Sequence, residues 1–395
     1  MIDAATMTQG ADGALGLIDR ARSDRANLFN KEKLLKEMAD REIDAVIATS
    51  AENVTYTSGA YMDQLLISTF VVTTRGGSQA FVVNDADAFF ARDSSWIDDV
   101  RDFGLGPSSR DDALRLLVEA LDDLDVRGAR IGIEYNSLPL RHGLQLQKEL
   151  GDATLLDAED VFRQTRAIKT AGEIELFAAA ALATAQAMFA GFTLARVGDT
   201  EKTLQASIQS AALHRGADSL GHAHVHSGVH STVVHTHSVE QPIRRGEVIH
   251  VDFGAGFAGY KTDLARNAVV LEPSPRQSEI YRRLWEVQDV LIDAVKPGVG
   301  AAEVFELSQK AHADAGLEYP WATIGHSTGL SVHEGFELAR GVPTELESGM
   351  ILNIEPTHIE AGDARYHAED TVLVIDGGAR VLSDFGRQRD LFVIN

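Results

Sequence analysis

Along the chain, segments whose apolar residues recur every three to four positions alternate with short segments in which they run together. KEKLLKEMADREI (31–43) carries Leu34, Leu35, Met38 and Ile43 at roughly helical spacing. DAVIATS (44–50), LISTFVVTT (66–74) and QAFVVN (79–84) read as strands, the last two parted by the turn-like RGGS. DDALRLLVEALDDL (111–124) reads as an amphipathic helix and ARIGIEY (129–135) as a strand. Helices alternating with short strands predict a small α/β domain. Residues 1–25 show neither pattern and read as a loose arm.

From about residue 165 the rhythm changes. AGEIELFAAAALATAQAMFAGF (171–192) predicts a long Ala-rich helix. DTEKTLQASIQSAALHRGA (199–217) predicts another, with Asp199 or Thr200 at its cap. PRQSEIYRRLWEVQDVLIDAVKPG (275–298) opens on Pro and stops at Pro-Gly, and AAEVFELSQKAHADAGL (301–317) is a fourth helix. GEVIHVDFG (246–254), GYKTDLARNAVVL (259–271), GMILNIEPTHI (349–359) and EDTVLVID (369–376) are strand-like. The expectation is helices packed against one mainly antiparallel sheet, with a domain boundary between residues 165 and 166.

Composition narrows the function. The 36 Lys+Arg against 59 Asp+Glu give a net charge of −23, which argues against a nucleic-acid partner, since duplex affinity comes largely from Lys and Arg displacing counterions. The absence of cysteine excludes disulfides, Cys-ligated zinc, iron–sulfur clusters and thiol nucleophiles. No run approaches the roughly 18 apolar residues of a membrane span, and the opening MIDAATMTQGADGALGLIDR lacks a basic start followed by an apolar stretch. A cytoplasmic protein with no membrane partner is expected.

The acidic and imidazole residues of the second half carry the chemistry. Asp252 ends one predicted strand and Asp263 lies on the next, with Gly254, Gly256 and Gly259 between them. A hairpin there places both carboxylates on one face, where they repel unless a cation lies between them. His326 sits in GHSTGLSVHEGF ahead of His333, Glu355 closes the apolar run MILNI, and Glu369 opens a strand. A carboxylate at the inner end of an apolar strand is costly unless paired or metal-bound. Four carboxylates and one imidazole suit Mn²⁺, Co²⁺ or Zn²⁺ and nearly balance two divalent charges. Residues 222–237 add six histidines, His222, His224, His226, His230, His235 and His237. These could recruit an extra ion, but such alternation also arises on one face of a strand or loop beside a pocket, and that reading is preferred.

VDFGAGFAGYKTDLAR, GHSTGLSVHE, NIEP and AEDTVLV, in this order, resemble the metal-binding signature of the pita-bread metallopeptidases. That group holds methionine aminopeptidases, Xaa-Pro aminopeptidases, prolidases and creatinase. IDAVIATSAENVTYTSG (43–59) resembles the start of the creatinase/prolidase-type N-terminal domain, and TRAIKTAGEIELFAAAA (165–181) the helix that opens the pita-bread domain. The resemblance spans roughly residues 31–390 and implies an α+β chain. A smaller α/β creatinase-type N-terminal domain (1–165) would precede a C-terminal pita-bread catalytic domain (166–395).

The resemblance further implies two divalent metal ions, Mn²⁺ first, with Co²⁺, Zn²⁺ or Fe²⁺ as alternatives. Asp252 would chelate one ion, Asp263 and Glu369 would bridge both, and His326 and Glu355 would complete the coordination of the second ion. Glu355 would also serve as general acid/base, with a metal-bridging hydroxide attacking an Xaa-Pro bond. His235 and His333 would hold the scissile carbonyl oxygen. His367 stands two residues before the last metal carboxylate, where prolidases and aminopeptidases P often carry Arg. It is expected to bind substrate there, with Arg365 as the substitute cation. The same position leaves open a small non-peptide substrate: an ectoine-type amide, an amidine, or dimethylsulfoniopropionate. A non-enzymatic binding protein on this fold would have lost metal ligands, and all five are present. Members with this N-terminal domain are usually homodimers.

Overall fold

The computed structural model describes residues 10–62, 68–234 and 236–395. Contacts divide the chain into two compact units, one of residues 24–166 and one of residues 167–395 together with the N-terminal stretch through Ser23.

The first unit is a six-stranded mixed sheet of β1 (Ala45–Ala48), β2 (Phe70–Thr74), β3 (Gln79–Asn84), β4 (Val100–Phe103), β5 (Arg130–Ile133) and β6 (Thr154–Asp157), in the order β4-β3-β2-β1-β5-β6. Its core joins Ile47, Phe70, Val72, Val82, Ile131 and Ile133 from the strands to Leu114, Leu117 and Leu121 from helix Ser109–Asp123. Those three leucines recur at three- and four-residue intervals, so one stripe of the helix faces the sheet. Ser50 and Asn84 cap the helices Ala51–Ser58 and Asp85–Ser94, each side chain accepting from a backbone N–H three residues on. Neither helix is evident from periodicity.

In the second unit the strands form two sheets, not one. The first holds β7 (Ser219–Ser227), β8 (Val248–Phe257), the short β9 (Tyr260–Lys261) and β10 (Leu264–Val270). The second is antiparallel, ordered β12-β11-β13-β16-β17, from β11 (Thr323–Ser327), β12 (Glu337–Ala339), β13 (Ile351–Ile354), β16 (Asp370–Ile375) and β17 (Gly378–Val381). A ribbon of β14 (Thr357–Ile359) and β15 (Arg365–His367) lies between β13 and β16 in sequence, and β18 (Phe392–Ile394) runs parallel to β10 in the first sheet. Strand pairing over such distances leaves no local trace in the sequence, which is why one sheet was expected.

Helix Ala171–Leu194 is long and apolar enough to cross a membrane by length and composition alone. In the fold 78% of its most apolar stretch is buried, so the alanines serve close packing. Thr170 and Glu173 close a capping box at its start. The expected loose arm differs too: Ala11–Ser23 is a helix with Ala14, Ile18 and Ala21 buried. It is tied to this unit by Arg22, whose Nη2 lies 2.7 Å from Asp218 Oδ1. It therefore groups with the residues after 166, not with the N-terminal domain in which residues 1–165 were placed.

Candidate metal centre

The β8–β10 hairpin is built for close approach. Its turn residues Ala258 and Gly259 both have positive φ, 49° and 92°, the geometry of a two-residue turn that matches strand twist. Asp252 pairs with Ala265 and Phe253 with Leu264, so continuing the register sets Asp263 opposite Gly254. Asp252 and Asp263 thus share one face on a diagonal, with a glycine between them. A Cβ at Gly254 would stand 2.3 Å from Thr262 O and 2.6 Å from the His222 ring, so only glycine leaves this hollow open.

The second sheet brings the other candidates to the same hollow. His326 on β11 pairs with Asn353 on β13, and its Nε2 lies 3.6 Å from Asp263 Oδ2. Glu355 follows β13 and is held by its N–H donating to Ile324 O at 3.0 Å. Glu369 precedes β16, its N–H donating to Ala265 O at 3.3 Å. Asn353, missed in the sequence as one polar residue inside MILNI, donates to Glu369 Oε1 at 3.0 Å and to Asp263 O at 2.9 Å.

Electrostatics report the crowding. Burial pushes the Glu369 carboxyl well up, and the charges of Asp263, Glu355 and Asp252 push it further. Burial also opposes ionisation of Asp252 and Asp263. Contact with His222 outweighs it, holding Asp252 well below the carboxylate range and Asp263 at about 2. Burial alone would lower His326, whereas Asp263 and Glu355 raise it to about 9.

These residues fit a divalent ion. Asp263 Oδ1 is buried with no hydrogen-bond partner, and Asp252, Asp263 and Glu369 gather anionic oxygens that a cation would neutralise.

A cavity of about 620 Å³ opens beside this cluster, lined among others by Asp252, Asp263, Glu355, His333, Trp321 and Arg365. His333 is exposed, stacks on His326 with ring centroids 3.8 Å apart, and has Nδ1 3.0 Å from Glu337 Oε1. His235 lies outside the described residues. His367 takes a different place from the one expected: it is fully buried, is not among the residues lining the cavity, and has Nε2 3.6 Å from Glu355 Oε2. The cavity wall is Arg365, whose guanidinium lies 5.1 Å from the Trp321 ring and whose Nε and Nη1 are buried without partners.

The first three histidines of the stretch, His222, His224 and His226, lie on strand β7, with His224 opposite Asp252 and His226 opposite His250. Buried Glu201 secures its far end, accepting from Ser227 N at 2.7 Å and Val239 N at 3.1 Å and lying 2.9 Å from His230 Nδ1. In the sequence Glu201 resembles an ordinary acid in the first turn of a helix.

A cluster of carboxylates and imidazole at the seam of two mainly antiparallel sheets, in a chain that also carries an α/β unit, defines a metallohydrolase of pita-bread architecture. The family model of metallopeptidase family M24 matches residues 175–376, and that of the creatinase/prolidase N-terminal domain matches residues 31–168. The chain belongs to metallopeptidase family M24. It is 28% identical over 359 residues to an Xaa-Pro dipeptidase of Pyrococcus horikoshii, covering 90% of this chain and 97% of that protein. The crystal structure of dipeptidase PepE from Mycobacterium ulcerans matches with a TM-score of 0.78 at 28% identity, covering 92% of this chain and 97% of that one. An X-Pro aminopeptidase from Thermotoga maritima matches with a TM-score of 0.81 at 23% identity, over 92% and 99%, a likeness of fold. Membership of M24 implies divalent metal ions.

Proposed function

We propose that this chain is a dinuclear metal-dependent Xaa-Pro peptidase of prolidase type. The observation that carries the reading is the convergence of Asp252, Asp263, His326 and Glu355 beside a cavity of small-molecule size, with Glu369 buried close behind them. The names of two relatives, an Xaa-Pro dipeptidase of Pyrococcus horikoshii and a dipeptidase of Mycobacterium ulcerans, support the substrate class.

Asp252, Asp263, His326, Glu355 and Glu369 would hold two divalent ions, Mn²⁺ by its preference for oxygen-rich donors. Such ions acidify a water and polarise a carbonyl. The chain's own residues do the rest. Glu355 reaches the cavity and would take a proton on its carboxylate and return it to the leaving amine. His367, with Nε2 3.6 Å from Glu355 Oε2, is the proposed charge partner of that carboxylate on its buried side. His333, with Nδ1 at Glu337, keeps Nε2 for the developing oxyanion, and His235 is the proposed second donor. Arg365 would receive the free carboxylate of a dipeptide, the role first given to His367. A homodimer acting in the cytoplasm completes the reading.

A small non-peptide substrate is the second reading, favoured by the imidazoles of His222 and His224 in the cavity wall. Purified protein supplied with Mn²⁺ should release proline from Xaa-Pro dipeptides, lose that activity to EDTA, and lose it on Glu355→Gln by a factor of roughly 10² to 10⁴. No release with Mn²⁺, Co²⁺ or Zn²⁺, alongside turnover of an ectoine-type amide or of dimethylsulfoniopropionate, would replace the first reading by the second.

A further inference from the structure

Strand β7 pairs with β8 in one register from Ser227 back to Ala223 and in another from Leu220 onward, so β7 carries one extra residue around Gly221 and His222. A bulge of this kind re-aims a side chain and is common beside active sites. Here the strands nearly touch: a Cβ on Gly221 would lie 2.9 Å from Gly254 O. The His222 ring enters the hollow left by Gly254, and its Nε2 stands 2.9 Å from Asp252 Oδ1 and 2.9 Å from Asp263 Oδ1.

Neither contact satisfies the atoms involved. His222 Nε2 and Asp263 Oδ1 are both buried and both lack a hydrogen bond of acceptable geometry, although Asp263 is only 7% exposed. Three donors gathered this way match the edges of a coordination shell: neighbours around an octahedral ion with bonds of about 2.1 Å stand about 3 Å apart. The three donor atoms also lie within 4.8 Å of one another.

We propose that His222 is a metal ligand, an imidazole donor to the ion held by Asp252 and Asp263. This deepens the dinuclear reading and rests on it. Each ion would then have one imidazole, His222 on one and His326 on the other. The donor set becomes four carboxylates and two imidazoles, which shifts preference from Mn²⁺ toward Co²⁺ and Zn²⁺.

The test titrates the metal-stripped full chain with Co²⁺, following affinity by calorimetry and coordination by visible absorption and X-ray absorption at the cobalt edge. Wild type should take up two ions with two imidazoles between them. His222→Ala and His222→Gln should weaken uptake of one ion by at least 10–100-fold, the range seen even for residues that only support a ligand. Both should also lose one imidazole from the spectrum. Unchanged affinity and imidazole count in the variants would overturn the assignment while leaving the dinuclear reading intact. Tighter binding would overturn it as well, showing that His222 competes for the aspartates. Failure of wild type to take up Co²⁺, Mn²⁺ or Zn²⁺ would remove the dinuclear reading itself. Should the alanine variant fail to fold, the glutamine variant and the imidazole count of wild type decide.

Discussion

The side-chain amide of Asn353 donates to Glu369 Oε1 at 3.0 Å and fixes that carboxylate against the hairpin. A second contact, to Asp263 O at 2.9 Å, makes Asn353 a tie between both sheets. Replacing it with Ala frees Glu369 to turn while leaving every proposed ligand in the chain. Metal affinity should fall on the order of 10–100-fold, and excess Mn²⁺ should restore turnover. Calorimetry of Mn²⁺ binding checks this, and equal affinity in variant and wild type would refute the role.

Arg365 is the cation in the cavity wall, so its loss should act on substrates with a free carboxylate. Arg365→Leu is expected to raise KM for Xaa-Pro dipeptides about 10–100-fold and to leave the corresponding dipeptide amides unaffected. Arg365→Lys should fall between, since Lys lacks the planar fork. Steady-state kinetics on paired acids and amides measures the difference, and equal losses on both would point to a structural role instead.

Glu173 carries a pH signature. Burial raises its carboxyl from the ordinary 4.5 to about 7, against the opposing pull of Lys169, the Thr170 N–H and Tyr260. The folded chain therefore binds a proton that the unfolded chain has released between about pH 4.5 and 7, and stability falls as pH rises through that window. Glu173→Gln removes the term. Its stability relative to wild type should climb from pH 4.5 to 7 and level off above, by an amount on the order of 3 kcal/mol. Urea unfolding of both proteins across that range is the measurement, and a gap independent of pH would contradict it.

Lys169 and Glu334 form an ion pair at 3.1 Å with side chains only 1% and 3% exposed. Removing Lys169 takes a buried cation from Glu334, which keeps the hydrogen bond from Leu330 N–H at 2.9 Å, so Lys169→Met should cost about 3 kcal/mol. Adding Glu334→Gln should recover part of that loss, which a double-mutant cycle in urea would quantify.

Much of the site was legible because its signals are local. The glycines between Asp252 and Asp263 announce a hairpin, and alternation along a strand then fixes which residues share a face. The cap at Thr200 and the Pro at 275 mark helix starts for the same reason. What stayed hidden depends on partners far away in sequence. The slip in β7 exists only against β8, and a stretch of Gly, His and Ser has little of the β-branched character that marks a strand. Asn353 passes for an interruption of an apolar run until Asp263 and Glu369 appear beside it. Arg365 and His367 stand two residues apart on one ribbon strand, and nothing local in the sequence tells which of them lines the cavity.

The extra residue in β7 has a consequence for how such a site can be altered. Gly221 and His222 together stand opposite Gly254 alone, so a side chain larger than hydrogen at 221 would press on the Gly254 carbonyl and part the strands where the imidazole reaches the aspartates. The spacing of the backbone is then as much a determinant of this centre as the identity of its side chains.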